Sequence, residues 1–140
     1  AAALVLMRES TAAKMGIKPI ARIAGHAVHA QAPDWFTTAP VGAIEKVLKK
    51  SGWDAKSVNL WEVNEAFAAV VLLYMETLDI PHECINVNGG AIAMGHPLGA
   101  TGAMVLGTLL DELERRNLAT GLCTLCIGGG MGTATIIERV

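Results

Sequence analysis

Three consecutive glycines, Gly128 to Gly130, stand between two strand-like apolar runs, residues 122–127 and 133–140. Glycine accepts backbone dihedrals closed to other residues, so the triplet predicts a tight turn and an antiparallel hairpin. Upstream, strand and helix patterns alternate. Residues 4–7 read as a buried strand, 20–28 and 58–63 as further strands, and 85–87 as a short one. Residues 10–15 suit a short helix, capped by Ser10 or Thr11 and stopped by Gly16. Residues 31–40 form a loop with two prolines. Pro40 then opens a helix over 41–50, where Ile44, Val47 and Leu48 share a face and Gly52 ends it. Residues 65–78 read as a helix apolar on nearly every side, and therefore buried. Residues 98–116 read as a long helix, small and apolar at first and charged in its last turns. This alternation predicts a single α/β domain over residues 1–140, a mixed sheet with helices on both faces.

A hydrophobic content of 52% over 140 residues is enough for a sizeable core. A net charge of −2, with no stripe of Lys and Arg, gives no nucleic-acid footprint. The longest apolar run, residues 66–75, is about half of what a membrane span requires. Three cysteines without secretory features predict reduced thiols and a cytoplasmic setting. The chain opens on Ala1-Ala2-Ala3-Leu4-Val5-Leu6 with no initiator methionine, so we expect a piece of a longer protein.

Three positions can carry chemistry. Cys126 precedes the glycine triplet, whose backbone N–H groups can converge into a nest for a thiolate or an oxyanion. The alternative is a buried thiol at a strand end. His96 lies between Gly95 and Pro97, with Pro97 suited to the first position of the long helix. There the helix dipole favours a neutral imidazole, which can take a proton or donate to an oxyanion. The alternative is a capping histidine. Asn64, in Asn64-Glu65-Ala66-Phe67, is either the N-cap of the following helix or an amide facing a cleft. All three fall near the carboxyl ends of expected strands, where α/β sites gather. Cys123 and Cys126 form a C-x2-C pair, but in a strand they point to opposite faces and no second ligand pair follows, so no metal site is expected. Cys84, His26, His29 and His82 read as ordinary core, strand and loop residues. Asn88-Gly89-Gly90 and Gly99-x-x-Gly102 lack the lysine or acidic partner of a nucleotide loop.

Three motifs in order carry a resemblance. They are Asn64-Glu65-Ala66-Phe67-Ala68, the run from Asn86 through Gly95-His96-Pro97 to Ala103, and Cys126-Ile127-Gly128-Gly129-Gly130-Met131-Gly132. Together they resemble the thiolases, the acetyl-CoA acetyltransferases and 3-ketoacyl-CoA thiolases. The resemblance implies the C-terminal half of an αβαβα fold, with the N-terminal thiolase domain and its nucleophilic cysteine outside these residues. It implies acyl-CoA and coenzyme A as substrates, no permanently bound cofactor, and a homodimer or homotetramer. By resemblance His96 activates the acylated cysteine, Asn64 orients a water in the same oxyanion hole, Cys126 moves a proton, and the Gly128 N–H serves a second oxyanion hole. Phe36-Thr37 stands where many thiolases carry Met-Gly, near the acyl site. Cys126, where related ketosynthases use a histidine, points to a thiolase. The competing reading is a non-catalytic thiolase-like subunit that binds acyl-CoA or lipid, or plays a structural part.

Overall fold

Strands β1 (Ala21–Ala30), β2 (Leu60–Val63), β3 (Thr120–Ile127) and β4 (Met131–Arg139) form one mixed sheet in the order β1-β4-β3-β2. This computed structural model describes residues 1–140. β4 runs antiparallel to both β1 and β3, and β2 joins β3 in parallel. The β3–β4 hairpin expected from the glycine triplet is present. Gly129 and Gly130 turn it with φ of 85° and 84°, a region few other residues enter. Gly130 has no room for a side chain either, because a Cβ would overlap the Gln31 carbonyl oxygen. Its own carbonyl accepts the Gln31 N–H at 2.9 Å, which pins the turn to the end of β1.

Five helices accompany the sheet: α1 (Glu9–Met15), α2 (Ala39–Ser51), α3 (Ala68–Leu78), α4 (Ala91–Met94) and α5 (Thr101–Arg115). On one face, Ala43, Ile44, Val47 and Leu48 of α2 join Val70 and Tyr74 of α3 over Trp61, Leu122, Ala134 and Ile136. On the other face, Leu109 and Leu113 of α5 cover Leu60, Cys123 and Ile137. Each such leucine contributes roughly 2 kcal/mol by leaving water. The mixed α/β sheet with helices on both faces is therefore as expected. Gly16 and Gly52 end α1 and α2, as their positions predicted.

Several expectations fail, among them the strand at residues 85–87, where only Ile85 makes an isolated bridge to Trp61. Residues 4–7 form no strand. No ladder reaches them, and Val5 and Leu6 are 87% and 65% exposed. Neither Ser10 nor Thr11 caps α1, which begins at Glu9 behind an extended Arg8. α3 is not buried all round. Val70 and Tyr74 face the core, while Phe67, Leu72 and Leu73 stand exposed. The long helix starts at Thr101 rather than at residue 98, so His96 lies in the turn before it and Pro97 is not its first residue.

Candidate active site

Asn64 does not cap α3. Phe67 is the residue before that helix, extended at φ −149° and ψ 150°, and makes no side-chain cap. Asn64 instead prolongs β2. Its backbone N–H donates to the Thr124 carbonyl at 3.1 Å, one step beyond the Val63–Thr124 pair. It therefore sits beside β3 two residues before Cys126. Its side chain is buried and the amide Oδ1 has no hydrogen-bond partner. Buried polar atoms without partners are uncommon, and each calls for a reason.

Cys126 points to the α2 and α3 face, opposite to Cys123. The alternation of β3 requires this, since Cys123 packs with Leu109 and Leu113 of α5. The two thiols cannot share a metal. Burial pushes the Cys123 thiol up to about 12, with Glu62 adding to the shift. Burial also raises the half-buried Cys126 thiol above its ordinary value. Gly128 follows at the exposed start of the hairpin turn. Beside this end of β3 lies Tyr74, which burial and the Cys126 thiol drive far above the usual phenol range. Its hydroxyl donates to the Thr37 carbonyl at 2.6 Å. That bond fixes the segment next to Phe36. Tyr74 went unnoticed in the sequence, where its one signal was a lone phenol in an apolar helix, bound to need a partner.

His96 is exposed, and its Nδ1 lies 2.7 Å from Thr101 Oγ1. Thr101 is buried and also donates to the Pro97 carbonyl at 3.1 Å. The loop that carries His96 is tied to the Asn64 segment at two points. Asn86 Oδ1 accepts the Val63 N–H at 2.7 Å, and Asn86 Nδ2 donates to the Val63 carbonyl at 2.9 Å. The Glu65 carboxyl accepts from Asn86 Nδ2 at 3.2 Å and from the Ile92 N–H at 3.0 Å. The side chain of Asn86 thus imitates a strand beside β2, and Glu65 caps α4, whose preceding residue Gly90 has no side chain to do so. Farther out, Glu112 accepts from Arg115, Arg116 and Asn88, and the Arg115 guanidinium above all pulls its carboxyl down to about 2.

The structure thus places Asn64 and Cys126 at the carboxyl end of one parallel strand pair, and ties the His96 loop to that end. No hydrogen bond joins the three side chains to one another. Nearby, Phe36, Thr37, Phe67, Val70 and Leu73 line an open apolar groove of about 390 Å³. No helix is long and apolar enough to cross a membrane.

A family model described as the thiolase C-terminal domain matches residues 17–139. The chain belongs to the thiolase family. Over all of its 140 residues it is 50% identical to an acetyl-CoA acetyltransferase of Rhizobium meliloti, of which it covers 36%. A crystal structure of the Bacillus anthracis acetyl-CoA acetyltransferase superposes with a TM-score of 0.92 at 42% identity, over 96% of this chain and 34% of that one. Human mitochondrial 3-ketoacyl-CoA thiolase gives 0.90 at 43% identity, over 94% and 33%. The thiolase chain thus spans about a third of the length of the relatives it matches.

Proposed function

We propose that these residues form the proton-handling half of a thiolase site, which makes or cleaves a 3-ketoacyl-CoA. The orphaned Oδ1 of Asn64, held at the β2–β3 end just before Cys126, carries this reading. A buried amide in want of a partner is suited to hold a water or a thioester oxygen. The cysteine that takes the acyl group comes from the remaining thiolase domain, since none of Cys84, Cys123 and Cys126 sits in the family's nucleophile motif. His96 removes the proton of that cysteine and then donates to the oxyanion that forms, together with the water oriented by Asn64. In thiolysis, Cys126 delivers its proton to the α-carbon that leaves and regains one from the CoA thiol, whose sulfur takes the acyl group from the external cysteine. In condensation it removes one from the incoming acetyl group. Burial keeps its thiol protonated, which is the form that thiolysis needs. The Gly128 N–H stabilises the second oxyanion.

Coenzyme A thioesters are the substrates, with no resident cofactor, and the groove beside Phe36 takes part of the acyl or pantetheine chain. The free thiols favour a cytoplasmic location. A homodimer or homotetramer of the whole enzyme, and docking of the N-terminal domain, would cover the exposed Ile92, Met94 and Leu98.

Thiolysis of acetoacetyl-CoA tests the proposal. The complete protein that carries this chain turns over, whereas the 140 residues alone do not. In the complete protein, Cys126→Ala abolishes turnover yet still permits acylation of the external cysteine, as read by mass spectrometry. Normal cycling in that variant would remove Cys126 from the mechanism.

A further inference from the structure

The buried hydroxyl of Thr101 has two neighbours and a single proton. One neighbour is the Pro97 carbonyl at 3.1 Å, which can only accept. The other is His96 Nδ1 at 2.7 Å. With the Oγ1 proton directed at the carbonyl, where the Ala100 and Thr101 N–H groups also converge, Oγ1 has only lone pairs left for the imidazole. In that arrangement His96 Nδ1 carries a hydrogen and donates it. In a neutral ring the second nitrogen, Nε2, is left with a free lone pair. The ring itself is exposed, so Nε2 is open to a partner from outside these residues.

From this geometry we propose that Thr101 is a positioning residue that holds His96 in the Nδ1–H tautomer and presents Nε2 as the base. The inference rests on the thiolase reading for its catalytic meaning, but its structural core does not. Thr101 opens α5, and its hydroxyl is held from two sides. The Thr101 N–H also returns to the Pro97 carbonyl at 3.0 Å, so the turn and the side chain hold each other in place. A fixed hydroxyl gives the imidazole one orientation as well as one tautomer. Without it the ring is free to turn and to place a hydrogen on Nε2, where a lone pair is needed to accept the cysteine's proton. A purely structural threonine would behave differently. Its loss would weaken the α5 start and leave the tautomer alone.

The test uses the complete protein that carries this chain, with Thr101→Val and Thr101→Ser. Valine keeps the shape and removes the hydroxyl; serine keeps the hydroxyl. Nitrogen-15 NMR of the neutral His96 ring identifies the unprotonated nitrogen. It should be Nε2 in the parent and in Thr101→Ser, and a mixture or Nδ1 in Thr101→Val. In the thiolysis assay, Thr101→Val should lower kcat by about 100-fold, as small misplacements of a catalytic group do, with KM changed less than about threefold. Thr101→Ser should stay within about threefold of the parent. A hydrogen on Nε2 in the parent overturns the proposal, as does a tautomer indifferent to valine, or a serine variant as impaired as the valine one. A parent that shows the Nδ1–H tautomer but no thiolysis would sink the proposed function and leave the role of Thr101 in the tautomer standing.

Discussion

At the scale of single residues, Glu62 has the most to lose from its surroundings. It is 3% exposed on the edge strand β2, under α5, and burial raises its carboxyl from 4.5 to about 7, with Glu65 and Glu112 adding repulsion. Between those two values the folded protein keeps a proton that the unfolded chain releases. Stability therefore falls as pH rises from about 4.5 to 7, and it stays reduced above. Glu112 behaves in the opposite sense. Its contribution is present above pH 4.5 and is lost as pH falls towards 2. We predict that Glu62→Gln removes the decline between pH 5 and 7 and stabilises the protein at pH 8 by on the order of 2 kcal/mol. Urea unfolding of both proteins at pH 5, 7 and 8 measures this, and an unchanged pH dependence would refute it. The sequence gives no warning of Glu62, because a carboxyl in a strand usually faces water and only the cover of α5 on that face makes it costly.

At the scale of elements, the Glu65–Gly90 contact decides how the His96 loop lies on the sheet. A Cβ on Gly90 would overlap the Glu65 carboxyl, so Gly90→Ala must expel it from the α4 start. We predict a loss of about 1 to 3 kcal/mol, together with faster amide exchange at Ile92 and unchanged exchange in the β3–β4 hairpin. Slow exchange at Ile92 in that variant would show that the clamp does not hold the loop. The same contact explains which elements sequence reasoning could read. The hairpin was legible because its glycines and its apolar strands lie side by side. α2 was legible because Pro40, its apolar face and Gly52 are all local signals. Of the two readings of Asn64, the cap of α3 fails because Asn64 and Glu65 bond to Thr124 and Ile92, partners about 60 and 27 positions away. The start of α5 was misread for a related reason. Residues 97–100 form a turn that feeds its hydrogen bonds to Pro97, and no composition signal separates that turn from the small residues that follow.

At the scale of the whole molecule, apolar surface is left over. Leu72 and Leu73 of α3, Ile23 and Val28 of β1, and Ile92, Met94 and Leu98 around His96 are all exposed. Proteins that stand alone rarely show so much. We predict that the 140 residues by themselves bind a hydrophobic dye and self-associate at micromolar concentration, as read by light scattering. A monodisperse monomer without dye binding would contradict this. The expectation that α3 lies buried on every side therefore fails within these residues, although its composition was read correctly. What covers such a helix cannot be read from the helix.

The parallel pairing of β2 with β3 also sets an order of events during synthesis. Leu60 meets Gly121 across 61 positions, and β2 has no other sheet partner than β3 apart from a single bridge to Ile85. While the ribosome is still making α5, the edge that bears Asn64 has nothing to lie against. Among these 140 residues, the rim where Asn64 and Cys126 adjoin therefore takes shape only after all five helices have been synthesised.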